Sequence, residues 1–237
     1  MSIKIEDCIF ATPEQMEFVI MGMRNPMNSW DKSDSYAGFG CDDPYELALG
    51  PNDQSLMERL SKAGSEHRKY LRMLPVWVNI TAPLYWWKEF DTYKVGTVAN
   101  SCSTMHKIAE KEFTVEDFGC DHLLCGGMLD DVPNNDGKWV RFNGSDCLKD
   151  TICMLNKARE LYLQTEDKRF WWQMIQLLPS SYNQKRSIFM NAEVLLNIYN
   201  QRFGHKLDEW REFCSFIEDC PYWTFIEPGV FQRFKGV

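Results

Sequence analysis

The sequence predicts the α+β class: a helix-rich single domain with a small central sheet. Three observations lead there. Apolar residues recur at helical spacing through most of the punctuated segments, strand-like composition is confined to 71–81 and 138–142, and no repeat, low-complexity tract or linker divides the 237 residues. We therefore read 1–237 as one domain, with an N-terminal extension over 1–53 and a loop-rich excursion over 110–148.

The elements follow in order. Thr12-Pro13-Glu14-Gln15 is a helix start: Thr12 caps, Pro13 suits the first helical position and Gln15 completes a capping box. Met16, Val19, Ile20 and Met23 continue it at helical spacing. Residues 24–52, rich in Asn, Asp, Gly and Pro, read as a long loop with short turns. A helix over 54–63 follows, started by Asp53 and stopped by Gly64. The β-branched and aromatic content of 71–81 predicts a strand, which Pro75 marks as an edge or bulge. Ala82-Pro83 opens a helix reaching about Tyr93, Gly96 bends or ends it, and 103–111 reads as another short helix. Loops fill 114–145, with 138–142 a short strand. Helices are expected over 146–163, 167–178 (ended by Pro179), 191–203 (stopped by Gly204) and 207–219 (stopped before Pro221).

Composition narrows function. With 44% apolar and 25% charged residues the chain is globular, not disordered. Lys plus Arg number 26 against 34 Asp plus Glu, a net charge of −8 that disfavours a nucleic-acid polymer as partner. Aromatics at 14% suit a large core or a buried oligomer interface. No run of ~18 apolar residues exists, so no membrane span is expected; the longest, 73–87, is interrupted by Asn79, Thr81 and two prolines. The nine cysteines are odd in number and scattered, and the opening Met-Ser-Ile-Lys-Ile-Glu-Asp has no cationic-then-apolar character. Reduced thiols and a cytoplasmic location are the expectation.

Several groupings bear on chemistry. On the 191–203 helix, Asn191, Leu195, Ile198 and Arg202 share one side, while Asn197 lies beside Glu193 and Gln201. This is either a core helix with solvated ends or a helix framing a pocket, Arg202 offering a planar fork to an anion or carbonyl. Cys120, His122 and Cys125 are soft ligands at short spacing, but no second pair completes a metal site; proximity in a loop is the simpler account. Cys102 precedes a helix with His106 four residues on, so it reads as a nucleophile or as part of an ordinary cap. Gly126-Gly127 is too short for a phosphate loop, and no Walker, GxGxxG or GxSxG motif occurs. His67-Arg68-Lys69 with Arg72 reads as a solvated basic face, and Trp86-Trp87 and Trp171-Trp172 as packing.

Two segments carry more. The first is Ala82-Pro83-Leu84-Tyr85-Trp86-Trp87-Lys88-Glu89-Phe90-Asp91-Thr92-Tyr93-Lys94, continuing to His106. The second is Asn191-Ala192-Glu193-Val194-Leu195-Leu196-Asn197-Ile198-Tyr199-Asn200-Gln201-Arg202, followed by His205, Trp210 and Cys220-Pro221-Tyr222-Trp223-Thr224-Phe225. In order and spacing they resemble the flavin-dependent thymidylate synthases, over roughly 54–106 and 175–228. That family has an Ala-Pro-led segment with Arg-Gln-Trp, then Arg-His-Arg, then Ser, a small residue and Arg. Later it has Asn-x-Arg, three residues, Asn, four residues, Arg.

The resemblance implies FAD as cofactor, NADPH and methylenetetrahydrofolate as co-substrates, and conversion of deoxyuridylate to thymidylate in a homotetramer with sites between subunits. It implies that His67, Tyr93, Lys94, Asn191 and Asn197 face the flavin. Lys88, Glu89, Cys102, Ser103, Thr104 and Arg202 would face the pyrimidine nucleotide, Arg202 also polarising its carbonyl. The motifs depart from the family at Thr92-Tyr93-Lys94, Lys88-Glu89, Cys102, Thr104 and Glu193. An acidic Glu193 where an anion should bind is a physical objection, offset only if Arg72, His106, Lys107, Lys185 or Arg186 compensates. The alternative is a non-enzymatic binding or assembly protein that keeps the fold and has lost FAD. A third reading is a related enzyme for a less phosphorylated substrate.

Overall fold

The structure, a computed structural model, describes residues 3–39, 45–125, 132–133, 136–137, 139–140 and 143–226. Cys41, Gly126, Gly127 and the outer residues of the expected strand at 138–142 lie outside the described residues. In chain order the elements are β1 (Lys4–Phe10), α1 (Pro13–Arg24), β2 (Tyr36–Phe39), β3 (Tyr45–Ala48), α2 (Pro51–Lys62), β4 (Pro75–Pro83), α3 (Leu84–Phe90), β5 (Val98–Ser101), α4 (Thr104–Lys107), β6 (Val132–Pro133), β7 (Trp139–Val140), α5 (Gly144–Thr165), α6 (Lys168–Leu177), β8 (Asn183–Asn191), α7 (Ala192–Arg202) and α8 (Asp208–Glu218). The fold is helix-rich with a small antiparallel sheet of order β1-β4-β8-β5, as the sequence predicts. The chain forms two compact units: a smaller one (Met1–Lys4, Thr81–Phe90, Ser101–Lys185) and a larger one (Ile5–Ile80, Asp91–Asn100, Arg186–Val237).

Local chemistry sets the larger unit. The Thr12 hydroxyl accepts from Gln15 N–H and the Gln15 side chain returns to Thr12 N–H, so α1 starts on the expected capping box. The expected loop over 24–52 is more ordered than composition suggests. It holds two 3-10 turns, Asn25–Met27 and Trp30–Lys32, and the antiparallel β2–β3 hairpin. Asp53 does not start α2; Gly50 stands at that cap and Pro51 opens the helix. The Asp53 carboxylate is instead wholly buried, taking Arg24 Nε at 2.5 Å and the hydroxyls and amides of Ser33, Asp34 and Ser35. Burial alone would raise its pKa. The donors from Ser35, Asp34, Arg24 and Ser33 outweigh that and hold the carboxyl below its ordinary value.

The expected strand at 71–81 begins later, because Lys69–Met73 winds into a 3-10 turn. Pro75 is the first residue of β4, a position that needs no ladder donor, and β4 is an inner strand and not an edge. Its Val76, Val78 and Ile80 are buried while Trp77 on the other face is exposed, the period-2 alternation of a one-sided sheet. Ala82 and Pro83 end β4 and do not open a helix; α3 starts at Leu84 and stops at Phe90, short of Tyr93. Three strands of this sheet have no signal in the sequence: β1, within the supposed 1–53 extension, β5, and β8, which is too polar at its start. The hydroxyl of buried Tyr222 accepts from Ala11 N–H at 2.6 Å and donates to the Pro75 carbonyl at 2.7 Å.

In the smaller unit, α5 is capped by Asn143 and α6 by Asp167. Leu148, Ile152, Leu155 and Met174 from these helices pack with Ile108, Phe113 and Phe118 into one core. The expected 103–111 helix is a single turn, α4. Within the loop-rich excursion, Phe113 and Phe118 are therefore core residues, and β6 pairs with β7. Trp86 and Trp87 are fully buried, so they are packing residues as expected.

Candidate functional site

The larger unit brings the second family-like segment against the 91–100 stretch. The α7 helix begins where Asn191 caps it, its Oδ1 accepting from Val194 N–H at 3.1 Å. Beside that cap lies Gly96 at φ +82; a Cβ there would stand 2.9 Å from Asn191 Nδ2 and 3.1 Å from Val194 Cγ2. Only glycine supplies both the left-handed backbone and the clearance. At the other end of α7, Arg202 Nε donates to the Tyr93 hydroxyl at 2.8 Å, and that hydroxyl donates to Gln201 Oε1 at 3.1 Å. The Arg202 guanidinium lies 4.7 Å from the ring centre of fully buried Trp210, whose edge meets the Tyr93 ring at 6.0 Å. Residues 93–96 thus span α7 from its last turn to its cap.

Buried chemistry surrounds the Arg202 end. Burial pushes the Cys214 thiol up to about 12, Glu218 adding to this and Arg202 opposing it. Glu218 also accepts from Tyr199 at 2.6 Å. The thiol of Cys214 is thus a packed, inert group at neutral pH.

The objection raised by Glu193 has a structural answer. Arg68 Nε donates to Glu193 Oε2 at 2.8 Å and Nη2 to Oε1 at 3.0 Å, while Nη1 reaches the Ser61 carbonyl at 3.5 Å. Arg68 is therefore not part of a solvated basic face. The acidic residue that replaces an arginine of the family pattern is neutralised by an arginine from before the 3-10 turn at 69–73. Of the other cations named as compensating, Arg186 pairs with Asp91 at 2.7 Å, Arg72 bonds the Ser65 carbonyl, and Lys107 pairs with Glu110.

Lys94 is exposed and its carbonyl accepts from Thr97 N–H; Asn197 is exposed on α7. His67 lines a cavity of about 570 Å3 with Met23, Leu60, Lys69, Tyr70 and Met73. Lys88, Glu89, Cys102, Ser103 and Thr104 belong to the smaller unit. There the Ser103 hydroxyl caps α4 by accepting from His106 N–H, and Gln184 Nε2 donates to both the Cys102 carbonyl and Thr104 Oγ1. A helix of one turn gives Cys102 little of the dipole that would activate a thiolate. Among the described residues no group of three His, Cys, Asp or Glu side chains is placed to hold a metal ion, the Cys120–His122–Cys125 run included. Burial, then Asp121 and Glu116, raise the Cys120 thiol.

Sequence reasoning missed Trp210 as the platform of Arg202, Gln201 as the acceptor for Tyr93, and Thr97. The Thr97 hydroxyl is buried beside Gly96 without a hydrogen-bond partner. An orphaned hydroxyl and the Nδ2 of the Asn191 amide suit a flat heterocycle bearing carbonyl and N–H groups, so the ring system of a flavin or a pyrimidine fits these polar groups.

Comparison with solved structures agrees with this architecture. The chain is similar to thymidylate synthase X from Helicobacter pylori in a crystal structure with FAD and dUMP: TM-score 0.62, 15% identity, covering 98% of this chain and 100% of that one. A second structure of the flavin-dependent thymidylate synthase from the same organism, also complexed with FAD and dUMP, gives a TM-score of 0.60 at 15% identity over 98% and 99%. The likeness establishes the flavin-dependent thymidylate synthase fold for this chain. No protein-family model and no curated protein sequence matches it. Among the described residues no helix is long and apolar enough to cross a membrane.

Proposed function

We propose that this protein binds a flavin and a pyrimidine nucleotide and acts as a thymidylate synthase-like enzyme, methylating C5 of deoxyuridylate or of a close pyrimidine nucleotide. The observation that carries the reading is the apposition of 93–96 with α7, Tyr93 on Arg202 and Gly96 on Asn191. FAD, when bound, supplies the redox chemistry. Asn191, with Oδ1 committed to its helix cap, offers the ring Nδ2, and Asn197, His67 and Tyr93 complete the flavin-facing set. Arg202 would engage a pyrimidine carbonyl and stabilise negative charge carried by the ring, and an electron-richer ring attacks more readily from C5. Lys94 meets phosphate as a point charge. Lys88, Glu89, Cys102, Ser103 and Thr104 are proposed to border the nucleotide, with Cys102 a contact and not a nucleophile. NADPH and methylenetetrahydrofolate as co-substrates, a homotetramer and a cytoplasmic location belong to the same proposal.

A second reading, a binding or assembly protein without FAD, is favoured by one observation: Glu193 and Arg68 satisfy each other and leave a closed ion pair where the family pattern has an arginine. Titration with FAD separates the two. The enzymatic reading expects bound flavin absorbance and quenched flavin fluorescence, then saturable dUMP binding that Arg202→Ala abolishes. Protein that stays colourless at saturating FAD supports the second reading and rejects the first.

A further inference from the structure

We propose that Tyr93 is a positioning residue that fixes the plane of the Arg202 guanidinium. The proposal rests on the reading of Arg202 as the nucleotide-binding cation, and it adds what holds that cation. A flexible arginine on a helix end loses side-chain entropy when it binds a ligand, and a side chain already held in place loses less. Among the contacts that hold Arg202 are two of different kinds. The Trp210 ring, fully buried and therefore immobile, lies under the guanidinium at 4.7 Å and limits tilt. The Tyr93 hydroxyl takes Nε–H at 2.8 Å and limits rotation within that plane.

The direction of each bond is fixed by chemistry. A guanidinium nitrogen can only donate, so the phenol oxygen accepts from Nε. Its own proton then goes to Gln201 Oε1, 3.1 Å away. The order Arg202 to Tyr93 to Gln201 leaves the phenol satisfied on both sides, and Gln201 sits one residue before Arg202 on α7. The relay is therefore anchored to the helix it orients. Simple packing would require only the Tyr93 ring; the hydroxyl, with two directed bonds, is what a phenylalanine lacks.

The test compares the unaltered protein with Tyr93→Phe and Gln201→Ala. Hydrogen exchange of the Arg202 Nε–H is followed by arginine-side-chain NMR, the resonance being assigned by its loss in Arg202→Lys. Tyr93→Phe is expected to speed that exchange at least tenfold and Gln201→Ala to speed it less. Affinity for dUMP in Tyr93→Phe should fall about tenfold, since a hydrogen bond to a charged group is lost. An unchanged exchange rate in Tyr93→Phe overturns the proposal. So does weakened dUMP binding without faster exchange, which would make Tyr93 a direct ligand contact. Absence of dUMP binding in the unaltered protein would reject the nucleotide reading, and the exchange rates would still decide what Tyr93 does to Arg202.

Discussion

Replacing Arg68 by leucine removes one half of an ion pair whose side chains are 14% and 8% exposed. Glu193 is then left in its buried site without that partner. Two charge-assisted hydrogen bonds are lost, at 2.8 and 3.0 Å, each worth about 1.5–3 kcal/mol. Breaking a buried pair from one side costs about 3–5 kcal/mol as a whole, because the orphaned charge dominates. Glu193→Arg, which restores the residue of the family pattern, should be no better: it sets two guanidiniums face to face. The exchange Arg68→Glu with Glu193→Arg rebuilds the pair in reverse and should recover most of the loss. Urea unfolding of the unaltered protein, these three variants and Arg68→Glu alone measures this. With a slope of about 2–3 kcal/mol per molar, each single variant should lower the midpoint by about 1–2 M, and the reversed pair should return to within about 0.5 M. Single variants that lose under about 1 kcal/mol, or a reversed pair no better than the sum of its parts, would refute the argument that Glu193 is held by Arg68.

Two further outcomes follow from the same physics. Asp53→Asn leaves Arg24 buried without its counter-ion and should cost about 3 kcal/mol. Because the folded-state pKa of Asp53 lies below its unfolded value of about 3.9, its contribution is complete above that value and disappears as pH falls through the folded pKa. Melting temperatures from pH 7 to pH 2 should therefore converge for the two proteins at the acid end, and parallel curves would contradict this. Gly96→Ala forces an L residue to φ +82 and a Cβ to 2.9 Å from Asn191 Nδ2, costing about 1–3 kcal/mol. Calorimetry should show a lower melting temperature, and FAD should quench less. An unshifted melting temperature would mean the turn is not packed on the cap.

What the sequence revealed depended on whether the signal was local. The start of α1 was legible because Thr12, Pro13 and Gln15 lie within one turn. Helices α5 and α6 were legible through apolar spacing and, for α6, the Pro179 beyond its end, with bounds shifted by only a residue or two; the Asn143 cap of α5 was not read. The β8 strand was not, since Asn183, Gln184, Lys185 and Arg186 open it and only Ile188 and Met190 bury on one face. The β2–β3 hairpin was hidden by turn-forming composition on either side. In the site, Arg202 and Asn191 were found by helical spacing and resemblance, yet the Asn191 carbonyl group serves the helix it begins. The Arg68–Glu193 pair could not be read, because its partners stand 125 positions apart and a charge run gives no hint of which member turns inward.

The hydroxyl of Tyr222 has a consequence for how the molecule is made. It joins Ala11, 211 positions earlier, to the start of β4. At ~5–20 residues added per second, the N-terminal strand waits on the order of 10–40 s for that tether to leave the ribosome. Until then Ala11, just past β1, is without its final partner, and contacts of such long range slow the late stage of folding. During synthesis the backbone amide of Ala11 thus stays open to water or to a chaperone until nearly the whole chain has been made.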